Sequence, residues 1–154
     1  MSALAELLAA SRAALDDAIR EAHPEECCAL VFEVNGRLAL VRVPNVADAL
    51  HAADPETFPR TAKTGYAIDG RIILKAEREG QTLRAVVHSH PDGGVALSEE
   101  DLRLARFDGR PTWPGVDYVV LDGYGGRLRT WAIHAWDEGS GRFVEVAHGP
   151  DIAR

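Results

Sequence analysis

The chain has 154 residues, 46% hydrophobic and 27% charged, with 24 acidic against 17 basic side chains and a net charge of −7. That apolar content offsets the entropy of ordering and excludes disorder as the dominant state, while the acidic balance argues against broad electrostatic binding of nucleic acid. No apolar run approaches a membrane span, and the N-terminus, with Glu6, Asp16 and Asp17 among its alanines and leucines, does not read as a signal peptide.

One domain over residues 1–154 is expected, in the cytoplasm. Adjacent Cys27 and Cys28 cannot staple distant segments, which suits a reducing compartment.

Residues 2–22 read as one amphipathic helix, with Leu4, Leu7, Leu8, Leu15, Ala18 and Ile19 at helical spacing, Ser2 as N-cap and Pro24 as stop. Cys27–Val34 is apolar and β-prone. Asn35-Gly36 then separates it from an alternating run, Arg37–Val43, which predicts a hairpin through a type I′ turn. Residues 45–65, punctuated by Asp54-Pro55 and Phe58-Pro59, read as a loop with one short helical turn. Residues 71–79 predict a helix that Gly80 stops, and Leu83–His90 a buried strand. Ser98 opens a helix running to about Phe107. Tyr118–Asp122, Arg129–Ala135 and Phe143–Ala147 complete the set as strands joined at glycines.

The chemistry concentrates in residues 88–101, HSHPDGGVALSEED. His88 and His90, two apart on a strand, point to one face, where two imidazoles can grip one metal ion. Pro91 ends the strand, Gly93-Gly94 allow a sharp turn, and Asp101 falls in the first turn of the next helix. If the loop folds back, Asp101 supplies a third ligand. Two histidines, one carboxylate and a position left to water compose a catalytic zinc site. Hydrolysis then needs a base outside the ligand set, for which Glu25 and Glu26 are both candidates. Ser98-x-x-Asp101 is also a capping box, a reading compatible with the first. His23, His51, His134 and His148 read as helix-end, surface or loop residues. Trp113, Trp131 and Trp136 read as packing, with Trp113 a candidate flank of the cleft.

His88-x-His90, seven residues, Ser98, two residues, Asp101 resembles the JAMM motif of the MPN domain family. His23-Pro24-Glu25-Glu26-Cys27-Cys28-Ala29-Leu30 is similar to the family's glutamate segment, with Ala29 where glycine is usual. The likeness extends by pattern from about residue 3 to residue 135 and takes in Asn45, Asp54–Phe58, Ala67-Ile68-Asp69 and Trp113-Pro114-Gly115.

The resemblance implies an α/β (α+β) fold: a single MPN domain whose mixed, curved β-sheet is flanked by helices, with a cytidine-deaminase-like look. It implies that His88, His90 and Asp101 bind one zinc ion per chain, that Glu26 rather than Glu25 is the acid/base, and that Ser98 stabilises the oxyanion. It implies a zinc metallopeptidase that cleaves after the C-terminal Gly-Gly of a ubiquitin-like or sulfur-carrier protein. The short connection from Asp101 to Asp117 has no room for the insertion and second zinc of the larger family members. Two alternatives are a non-catalytic MPN scaffold, disfavoured by the intact motif, and a DNA-repair-associated relative, disfavoured by the charge. Whether the N-terminal helix covers the sheet or forms a homodimer is left open.

Overall fold

The apolar runs pair into one mixed sheet in the computed structural model, which describes residues 1–151. Its strands are β1 (Cys28–Val34), β2 (Arg37–Val43), β3 (Thr82–His90), β6 (Asp117–Asp122), β7 (Thr130–Asp137) and β8 (Arg142–His148). Between them in sequence lies a small hairpin, β4 (Arg106–Phe107) with β5 (Arg110–Pro111). The order across the sheet is β2-β1-β3-β6-β7-β8. Among the described residues only β3 and β6 run parallel, and the other neighbouring pairs are antiparallel.

Among the described residues five α-helices accompany the sheet: α1 (Ala3–Ala10), α2 (Arg12–Ala22), α3 (Ala47–Ala53), α4 (Gly70–Arg78) and α5 (Glu99–Ala105). Side chains alternate across a strand. Ala29 and Val31 of β1 therefore face Leu4, Leu8, Leu15 and Ile19 of α1 and α2. Cys28, Leu30 and Phe32 face the other way, against Ile73 and Ala76 of α4 and Ala105 of α5. Burial on both faces is why β1 reads as a continuous apolar run rather than an alternation. Asn35 (φ 51°) and Gly36 (φ 77°) form the expected type I′ turn between β1 and β2.

Three expectations are corrected. The single helix over 2–22 is two helices that meet at Ser11. The ladder bends there, Ser11 N–H bonding Leu7 O and Leu15 N–H bonding Ser11 O, so that both apolar stripes stay on the sheet. The loop over 45–65 contains α3, two turns long rather than one. The helix expected to reach Phe107 stops at Ala105, because Asp108 (φ 52°) and Gly109 (φ 72°) take a two-residue turn that pairs Phe107 with Arg110.

Two polar hubs pin this frame. Asp16 of α2 accepts the Leu128 N–H at 2.8 Å and the Arg127 Nε–H at 3.1 Å, tying the helix to the connection between β6 and β7. Asn45 sits between β2 and α3. Its amide donates to Glu26 O (3.0 Å) and Gly65 O (3.1 Å), and its carbonyl accepts from the N–H groups of Ala47 and Ala67, both at 3.1 Å. One side chain thus closes the segment 45–67 onto the start of β1.

Replacing Asn45 by alanine strands four backbone groups. Asn45→Ala is expected to destabilise the fold by about 2–4 kcal/mol in urea unfolding; a loss below about 0.5 kcal/mol, the size of an ordinary surface change, would remove the hub. Burial opposes ionisation of Asp16, but the Leu128 N–H and the Arg127 and Arg20 guanidinia outweigh it and hold the carboxyl below its ordinary value. A carboxyl depressed on folding contributes stability that is complete above its unfolded pKa, about 3.9, and is lost as pH falls through the folded one. Asp16→Asn is expected to lower Tm at neutral pH, and to lose less stability than the parent between about pH 5 and pH 2. Parallel melts across that range read the difference.

Candidate metal centre

β3 carries His88 and His90 on the face covered by α4 and α5. Their Nε2 atoms lie 3.1 Å apart. Pro91 leaves the sheet, and Gly93 (φ 92°) and Gly94 (φ 88°) turn the chain back in a conformation that side-chain-bearing residues rarely adopt. The return is held by His134 of β7, whose Nε2 lies 2.8 Å from Val95 O. His134 is therefore a buried strand residue, correcting the surface or loop placement.

α5 then starts at Ser98 with a complete capping box. Ser98 Oγ accepts the Asp101 N–H at 3.0 Å, and Ser98 N–H donates to Asp101 Oδ2 at 2.8 Å. The same Oδ2 lies 3.1 Å from each histidine Nε2. One carboxylate thus caps the helix and presents the same oxygen to both histidines.

Glu26 arrives from the far side. Its N–H donates to Ala62 O at 2.8 Å, and its carbonyl is held by Asn45. The next residue is clamped to β3, with Cys27 N–H donating to Ser89 Oγ at 2.8 Å and Ser89 N–H to Cys27 O at 3.1 Å. In the β1–β3 register Cys28 stands opposite His88. Glu26, His88, His90 and Asp101 thus each bring one donor atom into a group within 4.8 Å of one another. The structure brings together four of the five candidate site residues in that group; Ser98 stands beside them as the cap of Asp101.

The group gathers imidazole nitrogens and carboxylate oxygens at one point. Its inward atoms are two imidazole nitrogens, facing each other, and carboxylate oxygens. Glu26 Oε1 is buried with no hydrogen-bond partner. Burial pushes the Glu26 carboxyl up to about 8, a shift that Asp101 and Asp92 reinforce and the His90 and Arg60 charges oppose. Burial also disfavours a charged Asp101, but bonds from His88, His90 and the Ser98 N–H overcome it and hold that carboxyl well below the usual range. His88, wholly buried, is depressed by desolvation against the pull of Asp101. In His90 burial acts the same way, but the Asp101, Glu26 and Asp92 carboxylates outweigh it and raise the ring. Buried carboxylates facing nitrogen donors form a group that could hold a metal ion.

Cys27 and Cys28 stay outside this group, and burial pushes both thiols up, away from nucleophilic thiolate. Trp113 packs at the edge of the α4–α5 core and lines an apolar cavity of about 250 Å³ with Leu50, Phe58, Ile73 and Leu104. Tyr66 shares a wall with that cavity and stacks on His88. Sequence reasoning missed Tyr66 and His134 as parts of the site. Neither has a spacing signal, since each reaches the site through tertiary packing.

The profile of prokaryotic homologs of the JAB domain matches residues 8–137. A curated relative from Thermus thermophilus, described as a probable TtuB-protein conjugate cleaving protease, is 39% identical over 62 residues. That match takes in 38% of this chain and 37% of the relative's length. Two solution structures share the fold. A protein from Desulfitobacterium hafniense aligns with a TM-score of 0.59 over 87% of this chain and 84% of that one, at 17% identity. One from Salinibacter ruber aligns with a TM-score of 0.53 over 88% and 86%, at 25% identity. A profile match over most of the chain, on a mixed sheet with the histidine pair and the aspartate gathered at its centre, shows that the chain belongs to the family of prokaryotic homologs of the JAB domain.

Proposed function

We propose that this protein is a zinc-dependent peptidase or isopeptidase that hydrolyses the bond after the C-terminal Gly-Gly of a ubiquitin-like or sulfur-carrier protein. The observation that carries the proposal is the convergence of His88, His90 and Asp101 beside a buried, unpartnered Glu26 oxygen. The metal ligands are His88 Nε2, His90 Nε2 and Asp101, a mixed nitrogen and oxygen set that suits zinc and leaves a position open. When bound, zinc polarises the scissile carbonyl and makes water a nucleophile near neutral pH.

The chain's own residues supply the proton handling. Glu26 takes a proton from the attacking water and delivers it to the departing amine. Burial disfavours its charged form, and the Asn45 and Ala62 contacts hold its backbone. Ser98 Oγ already accepts the Asp101 N–H, so its own hydrogen is free to donate to the oxyanion forming on the scissile carbonyl. The Thermus relative, a probable TtuB-protein conjugate cleaving protease, supports a modifier protein as the substrate class. No helix among the described residues is long and apolar enough to cross a membrane.

Glu26→Gln is expected to keep about one zinc per chain and to lose cleavage of a Gly-Gly-linked conjugate by at least about a hundredfold. Retained turnover in that variant would refute the assigned base. The same variant, used as bait in lysate from the source organism, is expected to retain a small protein ending in Gly-Gly, identified by mass. Asp101→Asn is expected to weaken zinc binding by at least about tenfold, read by chelator competition. Unchanged affinity there would remove Asp101 from the ligand set.

A further inference from the structure

We propose that Tyr66 is a positioning residue of the metal centre: its ring stacks on His88 and stands in for the hydrogen bond that this ligand lacks. The inference rests on the reading of His88 as a metal ligand. His88 is completely buried. Its Nε2 faces Asp101 Oδ2 and His90 Nε2, each at 3.1 Å, so Nε2 is the ligand atom. An imidazole that binds metal through Nε2 carries its proton on Nδ1. Metal-ligating histidines nearly always give that proton to a carboxylate or a carbonyl, which fixes the ring and raises its basicity. Here Nδ1 is buried with no partner. β3 is paired on both sides, by β1 and β6.

What the ring has instead is a face. Tyr66 lies on it with ring centroids 4.2 Å apart and planes 18° from parallel. The other aromatic pairs among the described residues meet edge to face at 5.0 to 5.2 Å. A parallel stack limits rotation about the broad Cβ–Cγ torsion of histidine and keeps Nε2 aimed at the cluster. It also couples to the metal. An imidazole whose lone pair is held by a cation is electron-poor, and the electron-rich phenol face attracts it more than a neutral ring.

Tyr66 is placed for this by its own neighbours. Gly65 O accepts from Asn45, and Ala67 N–H donates to it. The amide that fixes Glu26 therefore also fixes the backbone on either side of Tyr66. A Cβ on Gly65 would come within 2.8 Å of Arg60 Cβ, so a glycine is needed for this loop to close.

The test measures affinity for Zn²⁺ and Co²⁺, and the visible absorption of the Co²⁺ form, in Tyr66→Phe and Tyr66→Leu. Phenylalanine keeps the stack and is expected to bind within about threefold of the parent, with an unchanged spectrum. Leucine is expected to weaken binding by about tenfold or more and to shift the Co²⁺ bands. Tyr66→Met, flexible and apolar without a ring, serves if the leucine variant does not fold. A purely structural role would lower the Tm of the metal-free protein and leave metal affinity in place. Leucine or methionine variants that bind as tightly as the parent, with its spectrum, overturn the role of Tyr66 alone. A parent protein that binds neither ion overturns the metal centre itself, and Tyr66 with it.

Discussion

One carboxylate oxygen organises the active end of this molecule. Asp101 Oδ2 accepts the N–H that starts α5 and faces both histidines of β3. A helix and a strand are thereby joined at a single atom, and the glycine turn between them has only one way to close. Position follows from this. The helix cannot begin one residue later without losing its cap, and it cannot shift along the sheet without losing the histidines. The burial of Asp101 gives the contact its force, because a buried carboxylate must be matched by donors or by a cation.

The rest of the site is arranged around an imbalance. Burial raises Glu26, while its neighbours hold Asp101 down, so two carboxyls in one group have been driven apart. Burial sets the first shift, and the bonds from His88, His90 and the Ser98 N–H set the second. Asn45, Ala62 and Ser89 each hold main-chain atoms at Glu26 or its neighbour.

How much of this was legible in the sequence follows from the range of each interaction. The histidine pair, the turn and the capping box are local, so the 88–101 stretch could be read almost atom by atom. The Asn35-Gly36 hairpin was legible for the same reason. Glu26 could be nominated from its segment, but its meeting with His88 depends on the β1–β3 register, which no spacing encodes. Tyr66, Asn45 and His134 act across gaps in sequence bridged only by tertiary packing, and their residue types are commonplace. The break at Ser11 was missed because the helical period runs on through it, since the ladder bends without ending. The Asp108-Gly109 turn was missed because its strands are two residues long, too short to show an alternation.

The lone parallel pairing in the sheet has a consequence for how such a molecule can diversify. Since β3 and β6 run the same way, the connections leaving both emerge at the same end, and the His90 carbonyl accepts from Gly93 of one and Gly123 of the other. Open α/β sheets place their ligands in the crevice at that end of parallel strands. His88 and His90 belong to the sheet and Asp101 to a capped helix, whereas the two irregular segments meet at the His90 carbonyl. Those segments can then change in length and sequence while the histidines and the aspartate keep their places, held by the strand ladders and the capping box.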